Sequence, residues 1–594
     1  MHNTELPQEI YYRSKPVREF DLNQTLYTTV FEQNKGNMDV DAIGFLGKKV
    51  TFRELKKNVD RLADAYHNVG IKEGDTVAIC TINMPIVQEN LLALSKIGAT
   101  SKWVDLRIKG KDLIKNINES NCKLLVIFDG IMGAIEEIIN ETDVTRVLVA
   151  SPKDYLNPLI RALANLKDKK EGKQTRLPRD KRFQKYRDFL KTGDDKSTLK
   201  AVSFQKDRPS IIVQSSGSTG KAKSIIHIEY NFNSAMQKEA YTDLPYGVGK
   251  TMYNAIPPFI IYGLRGAIYG GLVFGMKVIM TPFVSETTVF DDLGKYDCGA
   301  AAPIHLRYLY DRIVQLEDKI SKYVEEGSKK EVKECLKELQ SIRRKLSRVK
   351  VFVSGGDKIT AQEIVGMQQL FETSIVNGYG NNELTGGVVI SPVYASKPAS
   401  VGVPMKGVIV ATFEPDTCNR LSVGKEGEIC IHSDSVFWGY LNNEEETKKI
   451  KQMHNDGLAW IHTGDLGYVD KDGYVYITGR AKRLIKREAF KIAPDTIENV
   501  IMGLEEVKDC VVVGVPDLEH EGSAVPMAYV EVQTEYKELQ EEIKKRILRK
   551  CQEELPDYEV PQYIECIDKI PYKNTKHNFK QLEAMGEEYV LKRR

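Results

Sequence analysis

Between Lys49 and about Ile127, strand-like runs alternate with helix-like ones, and this constrains the fold more than any other feature of the chain. TFRELKKNVDRLADAYHNVGI sets Leu55, Val59, Leu62, Ala63 and Tyr66 at helical spacing and closes on Gly70. DTVAIC (75–80) reads as a strand, IVQENLLALSKIGA (86–99) as the next helix and KLLVIF (123–128) as another strand. Strands separated by helices pair in parallel, because the crossover carries the chain back to the same edge. The expected class is α/β, with parallel or mixed sheets layered with helices.

At 594 residues the chain is too long for one core. After about Gly479 the texture changes: RAKRLIKREAFKIAPDTIENVI leads into CVVVGVPD (510–517), AYVEVQ (528–533) and the helical LQEEIKKRILRKCQEELPDYEVP. That predicts a large domain over 1–479 and a compact α+β domain over 480–594. Two stretches break the alternation. Residues 153–208 are rich in lysine and arginine and read as a solvated basic insertion, with contact to an anionic membrane surface as the alternative. Residues 305–348 read as a charged helical hairpin broken near Glu326-Gly327-Ser328, an excursion from the domain.

Several function classes lose support. No apolar run is long enough to span a membrane and MHNTELPQEIYYRSKPVREF has no signal-peptide core, so the expected compartment is the cytoplasm. The 9 cysteines are scattered without a CxxC pair, which argues against a disulfide framework or a zinc site. A formal net charge of +2 gives no reason to expect a nucleic-acid partner.

Positive indications begin with VQSSGSTGKAKS at 213–224, led in by Ile211-Ile212. A strand feeding a glycine- and hydroxyl-rich turn with following lysines is suited to phosphate: the backbone can approach, N–H and O–H groups donate, and lysine supplies charge. It is not GxxxxGK[ST], since Ala222 stands where the second glycine belongs. Further stretches follow in order: VFVSGGDKI (351–359), VNGYGNNELTG (376–386), WIHTGDLGYVDKDGYVYITGRAKRLIK (460–486) and KIPYKNTKHNFKQLE (569–583).

Together these resemble the adenylate-forming superfamily of acyl-CoA synthetases, peptide-synthetase adenylation domains and firefly-type luciferases. The resemblance runs from about Thr51 to Glu583. It implies two steps: a carboxylate attacks the α-phosphorus of ATP, and a thiol, that of CoA or of a carrier protein's pantetheine, then displaces AMP. By position it places Ser216, Gly217, Ser218, Thr219, Gly220 and Lys223 around the leaving phosphates, with Glu383 as the Mg²⁺ ligand. Asp465 falls at the ribose, Arg480 at ribose or phosphate, Tyr379 and Gly380 beside the adenine, and Gly355-Gly356 where the base edge nears the backbone. Asn382 stands where the family has a threonine that contacts the α-phosphate, and its amide can still donate.

The resemblance further implies that the small domain is mobile, rotating about Lys482 so that a face carrying Lys486 and Ala489 meets the thiol. Ala489 replaces a glycine beside the thiol's path and narrows it. The late catalytic lysine is Lys576 when the trailing KHNFKQLE is aligned, and His577 when residues are counted without gaps from Pro571; the ordered match favours Lys576. In IPPFIIYGLRGAIYGG (256–271), Ile260 occupies the place where amino-acid-activating members carry an aspartate, so an α-ammonium would lack its counter-charge. Ile260, Ile261, Tyr262 and Gly263 suggest an apolar acyl pocket, and Gly263, Gly270 and Gly271 either open it or permit helix–sheet contact. The expected activity is an acid–thiol ligase acting on a hydrophobic acid with ATP, Mg²⁺ and CoA. Two alternatives stay open: loading of a separate carrier protein, and non-catalytic nucleotide binding at a degenerate site.

Overall fold

The computed structural model describes residues 7–171, 176–194, 196–215, 223–415, 417–487, 490–520, 523–573 and 576–592; for Lys482 and Lys576 it describes the backbone alone. The expected helix runs over Phe52–Asn68, begun by a capping box in which the Thr51 hydroxyl accepts from Glu54 N–H and the Glu54 carboxylate accepts from Thr51 N–H. Its buried stripe is the set read from the spacing, with Phe52 and Ala65 added. Helix Ile86–Ile97 has every residue buried, so it lies in the interior rather than at a surface.

Two large sheets flank that interior. One has eight strands in the order Gly439–Tyr440, Ser224–Ile228, Pro209–Gln214, Thr100–Trp103, Thr76–Cys80, Leu124–Phe128, Arg146–Ala150, Phe183–Lys185. From Pro209–Gln214 onward its neighbours run parallel. The other has nine strands, and its parallel block runs Ser374–Asn381, Val351–Ser354, Cys298–Ala301, Thr251–Asn254, Lys277–Met280, Asp41–Phe45. One continuous core joins both, with Val77 and Leu124 of one sheet and Met252 and Val278 of the other in the same apolar cluster. A third, five-stranded antiparallel sheet contains Gly427–His432, Ala459–Val469 and Val475–Arg480.

The two interruptions are less separate from the fold than their charge suggests. Within 153–208, Phe183–Lys185 joins the eight-stranded sheet as its edge, and Tyr186 and Phe189 of the next turn are buried. Helices Pro303–Glu325 and Lys329–Leu346 form the expected hairpin. Its base is core, however: Leu306, Leu309, Ile313 and Leu346 pack in an apolar cluster with Phe352 and Ile375 of the nine-stranded sheet. Charge on the outer faces hid an apolar stripe at helical spacing.

Among the described residues, the strands beyond Arg480 pair only with one another. Val507–Pro516, Ala524–Val532 and Tyr563–Cys566 make one sheet, covered by helices Pro494–Met502, Gln540–Glu554 and Phe579–Leu591. Among the described residues no helix is long and apolar enough to cross a membrane.

Candidate active site

The glycine-rich turn at Ser216, Gly217, Ser218, Thr219 and Gly220 lies outside the described residues, but its ends are fixed to each other. Strands Pro209–Gln214 and Ser224–Ile228 are antiparallel neighbours, Ser215 N–H donates to Lys223 O at 2.8 Å, and Lys223 N–H donates to Ser215 Oγ at 2.9 Å. The Lys223 ammonium is paired with Glu446 and sits 4.9 Å from the Tyr440 ring centroid. Hydrogen bonds from Lys223 and Lys449 hold the Glu446 carboxyl down to about 2.

Across the turn that follows strand Ser374–Asn381, Asn382 ties two segments together. Its Nδ2 donates to Gln214 O at 2.7 Å, just ahead of the glycine-rich turn, and its Oδ1 accepts from Ile261 N–H at 3.3 Å. Among the described residues one of the two amide hydrogens is engaged, and the other has no partner there and can donate to a ligand. Glu383 accepts from Tyr440 Oη at 2.8 Å. Burial raises its pKa, with the Tyr440 hydroxyl and the Lys223 charge pulling back. A carboxylate that burial disfavours, with lone pairs beyond the one Tyr440 uses, fits a hard divalent cation, which would favour its charged form.

Three expected residues meet at the edge of the five-stranded sheet. Tyr379 Oη donates to Asp465 Oδ2 at 2.6 Å, and Arg480 Nε lies 3.2 Å from Asp465 Oδ1. Strands Ala459–Val469 and Val475–Arg480 pair Asp465 directly with Arg480, which is why residues fifteen apart act together. Burial raises the Asp465 pKa, offset in part by Arg480 and the Tyr379 hydroxyl. The preceding strand residues are held by Glu428, which accepts from Gly464 N–H at 2.9 Å and pairs with His462 Nδ1 at 2.8 Å. Glu428, Cys430 and His462 offer donor atoms within 4.8 Å of one another, but these contacts already engage the carboxylate and the imidazole.

Sequence reasoning missed the residues that hold these parts in place. Tyr440 joins Glu383 to Lys223. Arg265, buried on the π-helical segment Tyr262–Tyr269, donates to Thr385 O at 2.8 Å and Gly387 O at 3.1 Å, and pairs with Glu239 at 3.1 Å. Thr385 also bonds to Ser435 O and lies 3.1 Å from His227 Nδ1. Burial, with Arg265 nearby, pulls His227 down to about 3, so its imidazole is neutral. The available signal was a lone arginine inside the apolar IPPFIIYGLRGAIYGG, a residue that cannot be buried without partners.

The glycines divide. Gly356 has φ +88 with open space around it, and a Cβ on Gly355 would come 3.2 Å from Gly378 O, so this pair is where backbone is left bare beside Tyr262. Gly380 has a fold-level cause: a Cβ there would lie 1.9 Å from Gly386 O in the irregular pairing of the two strands. Gly263 does not open the pocket, since a Cβ would meet Ile256 O at 2.7 Å and Pro257 O at 2.9 Å. Gly270 and Gly271 likewise admit Met236 and Val278. Of the acyl-pocket residues, Ile261 is buried, Ile260 and Tyr262 are half-buried, and Tyr262 Oη donates to Val353 O at 2.7 Å.

In the C-terminal part, Ala489 lies outside the described residues. Lys482 is in the short turn Ala481–Arg483, directly after the last strand of the large body, and Lys486 is exposed on strand Ile485–Arg487. Lys576 lies on the hairpin Tyr572–His577, paired with Lys573 across a two-residue connection. His577 Nε2 is 2.9 Å from both Asp509 Oδ2 and Tyr572 Oη, so this imidazole is already engaged inside the small domain. Lys358 Nζ, three residues beyond Gly355, lies 3.7 Å from Asp495 Oδ1 on helix Pro494–Met502 of the small domain.

The protein matches two family models: AMP-binding enzyme over residues 30–441 and AMP-binding enzyme C-terminal domain over 496–576. A 4-coumarate–CoA ligase-like protein of Oryza sativa subsp. japonica is 26% identical over 542 residues, 88% of this chain and 85% of its own. A long-chain-fatty-acid–CoA ligase of Bacillus subtilis is 24% identical over 502 residues, 83% of each. Among solved structures, an anthranilate CoA ligase in complex with anthranoyl-AMP superimposes with a TM-score of 0.79 at 17% identity, over 97% of this chain and all of that one, a likeness of fold. The chain belongs to the AMP-binding enzyme family, within the adenylate-forming superfamily.

Proposed function

We propose that the protein is an ATP- and Mg²⁺-dependent acid–thiol ligase that activates a hydrophobic carboxylic acid as its acyl-adenylate and transfers the acyl group to CoA. The observation that carries this reading is the convergence of Tyr379, Asp465 and Arg480 at one sheet edge, while Asn382 links the glycine-rich turn to the segment bearing Ile260 and Ile261. Relatives described as ligases of 4-coumarate, OPC-8:0 and long-chain fatty acids with CoA agree with an apolar acid.

The chemistry brings a carboxylate onto a polyanion, so positioning and charge neutralisation provide most of the rate. Asp465 takes the ribose hydroxyls, with Arg480 beside it, and Tyr379 packs against the base. Lys223 leaves Glu446 for the departing phosphates, and Glu383 is the residue that would hold Mg²⁺, which supplies positive charge against the phosphate oxygens. Lys576 completes the first step from the small domain. A rotation about Lys482 then brings the Lys486–Ala489 face to the thiol.

The test incubates the protein with ATP, Mg²⁺ and a panel of fatty, aryl and amino acids, with and without CoA, and reads products by mass spectrometry. An apolar acid should give acyl-AMP without CoA and acyl-CoA with it, and Lys576→Ala should lose both when started from ATP. Formation of AMP-esters that CoA never discharges would overturn the acceptor. Absence of any acid-dependent product, with ATP still bound, would overturn the enzyme reading.

A further inference from the structure

Helix Pro158–Lys170 turns its apolar side chains to solvent. Leu159, Ile160, Leu163 and Leu166 are 77%, 55%, 66% and 56% exposed, each far from the burial expected of such residues on a folded surface. Their spacing sets them on one face of the helix. On the opposite face Asp168 pairs with Lys153, which ties the helix to the short turn Pro152–Tyr155. That turn is anchored in the body: Tyr155 Oη donates to Glu89 at 3.2 Å, and its ring packs edge-on to Phe45 at 5.8 Å. The outward direction of the leucine face is therefore fixed by the inward attachment of the other.

Charge accompanies the apolar stripe. Lys167, Lys169 and Lys170 close the last turn and are exposed, and by helical geometry they fall on and beside the end of the stripe. Residues 161–191 hold twelve Lys and Arg against four Asp and Glu, in a chain whose net charge is only +2. We infer that helix Pro158–Lys170 is a docking element for an anionic lipid surface, with the leucine face entering the headgroup region and the lysines engaging lipid phosphate and carboxylate groups.

Two features favour lipid over a protein partner. Long lysine side chains beside a leucine stripe can rise to an interface while their stems stay apolar, the arrangement of helices that lie in a membrane surface. The helix is also small: thirteen residues span about 20 Å, and with a width of about 10 Å one face offers on the order of 200 Å², well short of the ~800 Å² per partner of a stable protein interface. The inference does not depend on the reaction proposed above, and its test does not use activity.

The full-length protein is sedimented with phosphatidylcholine vesicles, with and without about a third phosphatidylserine. Binding is expected to the anionic vesicles and to weaken with added salt. Leu163→Asp with Leu166→Asp should lower the partition coefficient at least about tenfold while leaving thermal unfolding unchanged, because both side chains are exposed. As a second readout, Leu163→Trp should shift its emission to the blue when anionic vesicles are added, and hold steady with neutral ones. Equal binding to neutral vesicles, binding unaltered by the aspartate pair, or an emission that stays put would overturn the proposal. So would a concentration-dependent dimer that the aspartate pair dissociates, which would assign the face to a second copy.

Discussion

The Tyr379 hydroxyl and the Asp465 carboxylate, 86 positions apart, meet in a 2.6 Å hydrogen bond. The bond joins strand Ser374–Asn381 of the nine-stranded sheet to strand Ala459–Val469 of the five-stranded one, and it fixes the orientation of a carboxylate that burial alone would favour protonating. If Asp465 holds the ribose, Tyr379→Phe should raise the KM for ATP about tenfold, the worth of a hydrogen bond to a charged group. Asp465→Asn should cost more, because it also removes the partner of Arg480. ATP titrations followed by acid-dependent pyrophosphate release check both.

Lys576 and His577 are neighbours with different expected fates. His577 is already bound to Asp509 and Tyr572, so His577→Ala should lower the stability of the small domain by ~1 kcal/mol and leave acyl-AMP formation within a few-fold of wild type. Lys576→Ala should reduce acyl-AMP formation by about a hundredfold or more, the scale of one charge aimed at the transition state. Single-turnover adenylation and urea unfolding of both variants separate the two effects. The reverse pattern would move the catalytic role to His577.

Arg265 supports the turn carrying Asn382 and Glu383 without belonging to it. Arg265→Met should destabilise the protein by about 3–5 kcal/mol, because it strands the buried Glu239 together with the Thr385 and Gly387 carbonyls. Chemical denaturation measures the loss. Glu239→Gln combined with Arg265→Met should recover part of it, since no buried charge is then left alone.

Glu89 gives the stability a pH dependence of known sign. Burial raises it from its ordinary 4.5 to about 7, against the pull of hydrogen bonds from Tyr186, Asn58 and Tyr155. Between those values the folded chain binds more protons than the unfolded one, so stability falls as pH rises through the window. Above about 7 the ionised form costs on the order of 3 kcal/mol. Denaturation from pH 5 to 8 should show this slope in wild type and a shallower one in Glu89→Gln.

Much of this was legible in the chain because the site is built from short segments at the ends of regular elements. Alternating periodicity exposed the parallel sheets, YGNNE and GR each sit where a strand stops, and HTGD lies within strand Ala459–Val469 opposite GR. Hidden from that reading were contacts that depend on packing between distant segments. Tyr440 under Lys223 and Arg265 behind Thr385 carry no local signature beyond their own chemistry. Gly263 shows the same limit in reverse. A glycine in an apolar stretch suggests room for a ligand, yet here the carbonyls of Ile256 and Pro257 fill it. The base of the helical hairpin was obscured because charge dominates its composition, while burial is decided by the one face that holds Leu306, Leu309 and Ile313.

The most direct test of the account follows oxygen. An apolar acid that the protein accepts is prepared with ¹⁸O in its carboxylate and turned over with ATP, Mg²⁺ and CoA. Attack of that carboxylate on the α-phosphorus, followed by displacement of AMP by the thiol, leaves one ¹⁸O in AMP and the other in the thioester carbonyl. The account predicts labelled AMP, unlabelled pyrophosphate and a labelled thioester. Label in inorganic phosphate with formation of ADP, or AMP free of ¹⁸O, would contradict it.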